Sequence, residues 1–323
     1  MNRCGTVWAL LLPLLVPDVF AADLWKDAPF EPTDVRMELV RLSEHCYYVQ
    51  GQAGAATDNQ GFISNAGVVI TDEGVVVFDA LGTPSLGWQL RQKIRQLTDK
   101  PVVKVIVSHY HADHIYGLQV FKSEGAEIIA PDGALAYLTD EAAESRLRER
   151  RESLFPWVND DTRLVSPDLI NRGSHRFRLG GLSFLVSVIG SAHSHGDQIL
   201  QVIEDGVLFS GDLIFEGRIP LVAGSHPQAW LEGLETLPTE GLQALVPGHG
   251  QASRKPGEAI AFTRDYLRHL HDGMAAAVED LTPFEEAYAA MDWSAYQHLP
   301  AFVANRLNAY YVYLGLEAES MDE

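Results

Sequence analysis

Four side chains that can bind metal ions follow the apolar run of residues 102–107. They are His109, His111, Asp113 and His114. Residues two apart in an extended segment project to the same side, so His109 and His111 are expected to hold one ion. Asp113 and His114 face the other way as the chain turns into a helix. Imidazole and carboxylate ligands with an open position suit catalytic zinc, although iron or manganese can occupy similar sites.

The pattern His-x-His-x-Asp-His after a strand resembles the signature of the metallo-β-lactamase superfamily. The resemblance implies further ligands at the ends of later strands, and the sequence supplies His193, Asp212 and His249 in order. Asp79, which follows a β-branched apolar run, resembles the carboxylate that supports the ligand loop in this family. The resemblance extends over roughly residues 36–250.

Carried over residue by residue, the resemblance divides the seven side chains between two zinc ions. The first zinc takes His109, His111 and His193, the second takes Asp113, His114 and His249, and Asp212 bridges both. Two such ions about 3.5–4 Å apart lower the pKa of a shared water toward about 7 and polarise the substrate carbonyl. Asp113 is the expected catalytic residue, placed to orient the bridging hydroxide and to carry a proton to the leaving group.

The implied reaction is attack of that hydroxide on an ester, thioester, lactone or lactam. Metallo-β-lactamases proper usually have Cys or a non-ligand Ser where Asp212 stands, so the sequence is more similar to glyoxalase II and the broader hydrolase branches. Segments 191–197 and 210–215, with a leader and a helical tail, resemble the exported quinoprotein relay system zinc metallohydrolases. The alternatives are an iron-dependent persulfide dioxygenase, a metallo-β-lactamase proper, and a non-catalytic zinc-binding protein.

Composition excludes several other classes. Of the residues, 46% are hydrophobic and 21% are charged, which is typical of a globular protein. The formal charge of −20 leaves few clustered cations for a phosphate backbone, so no nucleic acid partner is expected. After the leader, no run approaches the ~20 apolar residues of a membrane span. The expected partner is a small-molecule substrate.

Residues 1–21 are predicted to be a cleaved signal peptide. A basic tip with Arg3 precedes the apolar run 7–16, which is too short to span a bilayer, and small residues mark the cleavage point. The mature protein is therefore expected to be periplasmic or secreted. Cys4 leaves with the leader, and Cys46 is expected to be a buried, unreactive thiol.

The order of predicted elements indicates an α/β fold in which β-rich and βα stretches alternate twice before a helical tail. The predicted strands are 37–42, 46–49, 61–70, 75–78, 102–107, 126–130, 174–179, 182–189, 198–203, 207–209 and 244–246. The predicted helices are 84–98, one ending near 123, 140–152, 227–237, 258–279, 283–291 and 300–316. With the resemblance, this order predicts a four-layer αββα metallo-β-lactamase sandwich over residues 22–255 and a C-terminal helical extension over residues 256–323.

Three features have two interpretations each. His195, on the same side of its segment as His193, either supports the site and its substrate or lies outside it. Residues 146–157 form either a substrate lid or a crossover helix. The tail either recognises substrate or forms a packing cap, and the cap is favoured. The tail residues concerned are Arg264, Tyr266, Arg268, Tyr310 and Tyr311.

Overall fold

Two β-sheets form the centre of the molecule. The computed structural model describes Trp25 and residues 27–322, so the predicted leader, residues 1–21, lies outside the described residues. The first sheet contains, in spatial order, β1 Val40–Arg41, β2 Cys46–Val49, β3 Ala66–Ile70, β4 Val75–Phe78, β5 Val102–Ile106, β6 Glu127–Pro131 and β7 Leu169–Asn171. The second contains β12 Ala244–His249, β11 Val207–Phe215, β10 Asp197–Val202, β9 Leu182–Gly190 and β8 Ser174–Leu179.

Helices cover the outer faces of both sheets. They are α1 Pro84–Leu97, α2 Ala112–Ile115, α3 Leu118–Ser123, α4 Gly133–Thr139, α5 Glu141–Ser153, α6 Pro227–Glu235, α7 Pro256–Glu279, α8 Phe284–Ala290 and α9 Asn305–Asp322. The start of α1 shows how sequence sets these bounds. Thr83 caps the helix by accepting the Leu86 amide at 3.0 Å, and Pro84 occupies the first helical position, where no amide hydrogen is needed.

The alternation of side chains along β4 explains the layers. Val75 and Val77 pack in the cluster under α1 and α3, whereas Val76 and Phe78 pack in the cluster between the sheets. Because successive strand residues face opposite sides, a run that is apolar throughout is buried on both faces. The rings of Phe78 and Phe209 lie 5.7 Å apart across the sheet interface. The predicted αββα sandwich is confirmed.

Strand direction brings the chemically active segments to one edge. Strands β1 to β4 pair antiparallel, as predicted, and β4 to β7 pair parallel. In the second sheet β8 to β11 pair antiparallel, and β11 and β12 pair parallel. The carboxyl ends of parallel neighbours meet at the same edge, so the segments that follow β4 and β5 adjoin each other, as do the ends of β11 and β12.

Several predicted bounds differ from the structure. The strand predicted over 61–70 begins at Ala66, because residues 61–63 form turns in which the Phe62 amide donates to Asn59 O and the Ile63 amide donates to Gly61 O. The strand predicted over 207–209 continues to Phe215, because its later residues pair with β12. The short strand β7 and the helix α4 were not predicted, since neither is long enough to show a periodic apolar pattern.

The C-terminal helices pack against the second sheet and α6. Tyr266 of α7 is fully buried and donates its hydroxyl hydrogen to Asn305 at 2.8 Å. Asn308 of α9 donates its amide hydrogens to Pro220 O at 2.7 Å and to the Tyr266 hydroxyl at 2.9 Å, and accepts the Val222 amide at 2.9 Å. For Tyr266 the structure therefore favours the packing cap. Within the described part of the chain, no helix has the length and apolar character needed to cross a membrane.

Candidate metal centre

A buried carboxylate between β4 and α1 supports the loop that follows β5. Asp79 has φ +62° and is 1% exposed. Its Oδ1 accepts the Ser108 amide at 2.7 Å, and its Oδ2 accepts the Ser108 hydroxyl at 2.8 Å and lies 2.9 Å from His114 Nδ1. Asp79 therefore fixes both ends of the segment from Ser108 to His114, as expected from the sequence.

The seven side chains singled out in the sequence converge in two neighbouring groups. The first group is His109, His111, His193 and Asp212, and the second is Asp113, His114 and His249. Within each group, one potential ligand atom from every residue lies within 4.8 Å of the others. The four residues of the segment after β5 divide between the groups as the extended geometry predicted.

Asp212 lies between the two groups. Its Oδ2 is 3.3 Å from His193 Nε2 in the first group and 3.3 Å from His249 Nε2 in the second. Its Oδ1 is 3.2 Å from His114 Nε2. A single carboxylate that reaches nitrogens of both groups is in the position that a bridging ligand requires.

The second ring nitrogen of three histidines is fixed by a hydrogen bond. His249 Nδ1 donates to Ile63 O at 2.8 Å, because a carbonyl can only accept. Ser108 donates its hydroxyl hydrogen to Asp79, so His109 Nδ1 donates to Ser108 Oγ at 2.9 Å. His114 Nδ1 faces Asp79 in the same way. With Nδ1 fixed as the hydrogen-bond donor, Nε2 is the ring nitrogen available to bind a metal ion. Hydrogen bonds of this kind commonly orient histidine ligands.

Buried polar atoms without a hydrogen-bond partner test whether this site fits metal ions. They include His109 Nε2, and also His114 Nε2 and Asp212 Oδ1, which lie 3.2 Å apart without the geometry of a hydrogen bond. A buried donor or acceptor without a partner costs about 1–3 kcal/mol, so these atoms require explanation. All three point into the two groups, and divalent cations would satisfy them together. The donor set therefore fits metal ions.

Electrostatics acts differently on the two groups. Burial lowers the pKa of His193 to about 3 and lowers the pKa of His109 well below its usual value, which keeps both imidazoles neutral. Against the effect of burial, Asp212 and Asp113 raise the pKa of both His114 and His249, so the metal-free second group holds protonated imidazoles whose protons a metal ion must displace. Burial would raise the pKa of Asp212, but His249 and His114 outweigh it and hold that pKa well below its usual value. The carboxylate between the groups is therefore ionised.

Gly248 allows Asp212 to approach the end of β12. A Cβ at position 248 would lie 1.9 Å from Asp212 Oδ1 and 2.7 Å from the Asp212 backbone nitrogen. Only glycine leaves room for this carboxylate between the two groups. The sequence expectation that glycines permit a close approach of the backbone is thus met at this position.

The loop that carries His193 is supported by Asp197, which sequence reasoning missed. Its Oδ2 accepts the backbone amides of Ala192 at 3.2 Å and Ser194 at 2.8 Å, and its Oδ1 accepts the Ser194 hydroxyl at 3.0 Å. Burial raises the pKa of Asp197 to about 7. The only sequence signal was a carboxylate four residues after a predicted ligand, in a segment rich in serine and glycine.

Arg218 is a second residue that the sequence did not reveal. Its Nη1 lies 3.5 Å from His249 Nδ1, but that nitrogen already donates to Ile63 and cannot accept. Its Nε is buried without a partner, and no carboxylate of the described residues lies within salt-bridge distance of Arg218. Arg218 lines a cavity of about 220 Å³, whose other polar lining residues are Gln50, Gln52, Glu216 and Gln251. Nothing local in the sequence indicates this placement.

The remaining candidates lie outside both groups. His195 is exposed and faces His226 rather than the seven side chains. Cys46 is buried, and burial raises the pKa of its thiol, as expected of an unreactive cysteine. Helix α5 places Arg150 beside Asp113 in a small cavity, so the segment 146–157, predicted to be either a substrate lid or a crossover helix, borders the site.

Comparison with known proteins establishes the family. The family model of the metallo-beta-lactamase superfamily matches residues 59–263. This span is more than half of the sequence and contains all seven side chains, so the chain belongs to the metallo-beta-lactamase superfamily. Family membership and the two groups together support a metal-binding hydrolase.

Individual similarities are distant. Metallo-beta-lactamase IND-1 of Chryseobacterium indologenes is 22% identical over 237 residues, which cover 72% of this chain and 86% of the relative. The linear primary-alkylsulfatase of Pseudomonas sp. (strain ATCC 19151) is 22% identical over 236 residues, 62% of this chain and 44% of the relative.

Solved structures that resemble this chain are also metallo-beta-lactamases and alkylsulfatases of low sequence identity. The stereoselective inverting sec-alkylsulfatase Pisa1 from Pseudomonas sp. has a TM-score of 0.68 at 18% identity and covers 86% of this chain and 50% of that chain. The metallo-beta-lactamase from Pontibacter korlensis has a TM-score of 0.58 at 18% identity, over 72% of this chain and 99% of that chain. These likenesses show the fold, and this chain spans about half the length of the alkylsulfatases that it matches.

Proposed function

We propose that the protein is a hydrolase that binds two zinc ions through the seven side chains. It cleaves the bond between the carbonyl carbon and the oxygen, sulfur or nitrogen of an ester, thioester, lactone or lactam. The observation that carries the proposal is the position of Asp212, within 3.3 Å of one histidine nitrogen from each group. When bound, two adjacent divalent ions supply a water of lowered pKa and polarise the substrate oxygen.

Asp113 is the residue that we assign to proton transfer. It is the more exposed carboxylate of the centre, since its side chain is 22% exposed and that of Asp212 is 4% exposed. Its Oδ2 lies 3.3 Å from His249 Nε2, and the charge of His114 holds the pKa of Asp113 below its usual value against the effect of burial. An ionised carboxylate that substrate can reach is able to accept a proton and pass it to the leaving group.

The charge and position of Arg218 support a substrate that carries an anionic group. The Arg218 side chain is partly buried, and its Nε is buried without a hydrogen-bond partner. Glu216 lines the same cavity, but no carboxylate of the described residues lies within salt-bridge distance of Arg218 to compensate its charge. Asp212 and Asp113 attract this charge, but the proposal commits both to the metal ions. A carboxylate, sulfate or phosphate group on the substrate would provide the missing partner in the cavity beside His249.

The test combines metal analysis with a substrate panel. We expect about two zinc ions per chain and turnover of at least one class among thioesters, lactones and β-lactams, in the zinc-loaded mature protein. Phosphoesters and alkyl sulfates serve as comparison classes. One iron per chain with oxygen uptake would replace the zinc proposal by a dioxygenase, and turnover of alkyl sulfates alone would refute the choice of a carbonyl substrate.

We also propose that the protein is exported and acts in the branch linked to quinoprotein pathways. The support is the pattern of residues 1–21 and the similarity of segments 191–197 and 210–215 to that branch. Cell fractionation with mass analysis of the mature amino terminus tests the first part. A full-length chain that stays in the cytoplasm would overturn it.

A further inference from the structure

We propose that His195 and His226 form a third metal-binding site, separate from the two groups at the catalytic centre and suited to a transition metal ion such as Zn²⁺. His195 Nδ1 lies 3.3 Å from His226 Nε2, and both side chains are exposed. Neither residue belongs to the groups that contain the seven side chains. The inference concerns binding alone and does not depend on the proposed hydrolysis.

The spacing of the two nitrogens is that of a chelating pair. A tetrahedral zinc ion with Zn–N distances of 2.0–2.1 Å separates two ligand nitrogens by about 3.3–3.4 Å. The catalytic centre gives an internal comparison, since His111 Nδ1 and His193 Nε2 lie 3.0 Å apart. The ring centroids are 5.2 Å apart in the proposed pair and 4.8 Å apart in that reference pair. Both pairs also combine one Nδ1 with one Nε2.

The backbone of each histidine is held in place. The His226 amide donates to Ala192 O at 2.8 Å, and the His226 carbonyl accepts the Trp230 amide at the start of α6. The His195 carbonyl accepts the Ser191 hydroxyl at 3.0 Å. Next to it, a Cβ at Gly196 would lie 2.6 Å from the backbone of α4, so this turn is tightly packed. Fixed backbones reduce the entropy lost when both rings bind one ion.

The surroundings favour a cation. His226 lines a cavity of about 450 Å³ whose other lining residues include Glu232, His271 and Glu319. The chain as a whole has a formal charge of −20. An ion at the pair can complete its coordination with water, because both rings are exposed, and acidic side chains nearby lower the cost of adding positive charge.

The position of the pair connects it to the catalytic centre. His195 is two residues from His193, and the His193 ring lies 5.2 Å from that of Trp230 in α6. An ion held by His195 and His226 would therefore join the segment that carries His193 to the beginning of α6. Binding at this site should stabilise that part of the fold.

Calorimetric titration with Zn²⁺ tests the proposal on the purified full-length protein after dialysis. We expect one additional equivalent of Zn²⁺ beyond the content of the dialysed protein, together with a rise in Tm that saturates. His226→Ala and His195→Ala should each abolish the additional equivalent and the rise in Tm. His271→Ala is the matched control, because His271 lines the same cavity outside the pair, and it should bind the additional ion like the unmodified protein.

The outcomes are decisive in both directions. If the unmodified protein binds no additional Zn²⁺, or if His226→Ala binds it as tightly as the unmodified protein, the pair is only hydrogen-bonded and the proposal is overturned. Should His226→Ala fail to fold, His226→Gln keeps a polar side chain at the start of α6 and provides the same comparison. Retention of the original metal content in each variant separates this test from that of the proposed function.

Discussion

Asp79→Asn is the substitution that most directly tests how the second group is built. The change keeps the size and shape of the side chain and suits φ +62°, because asparagine tolerates the left-handed region. Its amide oxygen can still accept the Ser108 backbone amide. Its amide nitrogen, however, then faces His114 Nδ1 and is itself a donor.

The tautomer of His114 determines the expected magnitude. With a donor opposite Nδ1, the proton of the neutral ring moves to Nε2, and an Nε2 that carries a proton cannot bind a metal ion. A hydrogen bond to a charged group contributes about 1.5–3 kcal/mol, which corresponds to a factor of about 10–150 in affinity. This range agrees with the 10–100-fold loss typical when the outer partner of a ligand is replaced. We expect the second group to lose affinity by about 10–100-fold.

Competition with a chromophoric chelator measures the affinity of each metal ion. Asp205→Asn is the matched control, because the Asp205 carboxylate also pairs with a histidine, His45 Nδ1 at 2.9 Å, but His45 belongs to neither group. Circular dichroism and Tm of the metal-free proteins show whether both variants fold. Unchanged affinity for both ions in a folded Asp79→Asn variant would refute the assigned role of Asp79, as would equal losses in the two variants.

Three further substitutions address the centre and its substrate. Asp113→Ala should lower kcat by about 10²–10⁴ with the fold intact, and a metal-replete variant with an unmodified rate would exclude a catalytic role for Asp113. Arg218→Ala should lower kcat/KM by about 10–100-fold for an anionic substrate but much less for its neutral analogue; equal losses would contradict anion recognition. Gly248→Ala should displace Asp212, which should reduce the metal content measured by elemental analysis and lower the free energy of unfolding by about 1–3 kcal/mol. Full metal content at unchanged stability would show that the backbone adjusts to the added methyl group.

The sequence predicted the parts of the site that local patterns encode. His109, His111, Asp113 and His114 follow a strand within six positions, so the extended backbone and the turn into α2 were enough to separate them into two pairs. Their assignment to two zinc ions came from the family resemblance. Successive side chains of β4 pack alternately under the helices and between the sheets. This alternation explains why the continuous apolar runs correctly predicted a sheet buried on both faces. Single residues such as His193 could be selected only through the family resemblance, because an isolated histidine has no spacing to interpret.

Other parts of the site depend on contacts between segments that are distant in the sequence. Arg218 becomes important because the chain after β11 folds back beside His249, and nothing near position 218 encodes that contact. The need for glycine at position 248 comes from Asp212, thirty-six residues earlier. His195 could be seen as a candidate, but its partner His226 lies thirty-one residues later, so the pair is visible only in the folded chain.

The hydrogen bonds of Asn308 connect the last helix to the segment that follows Arg218, the residue that we propose to bind an anionic group of the substrate. They anchor the backbone at Pro220 and Val222, a few residues from Arg218, without approaching the metal-binding atoms. Mutations in α9 could therefore shift the guanidinium and retune which molecules are accepted while leaving the hydrolytic machinery untouched. Substitutions far from the metal ligands would then alter substrate specificity. Directed evolution of the protein can therefore target α9 before the loops that carry the ligands.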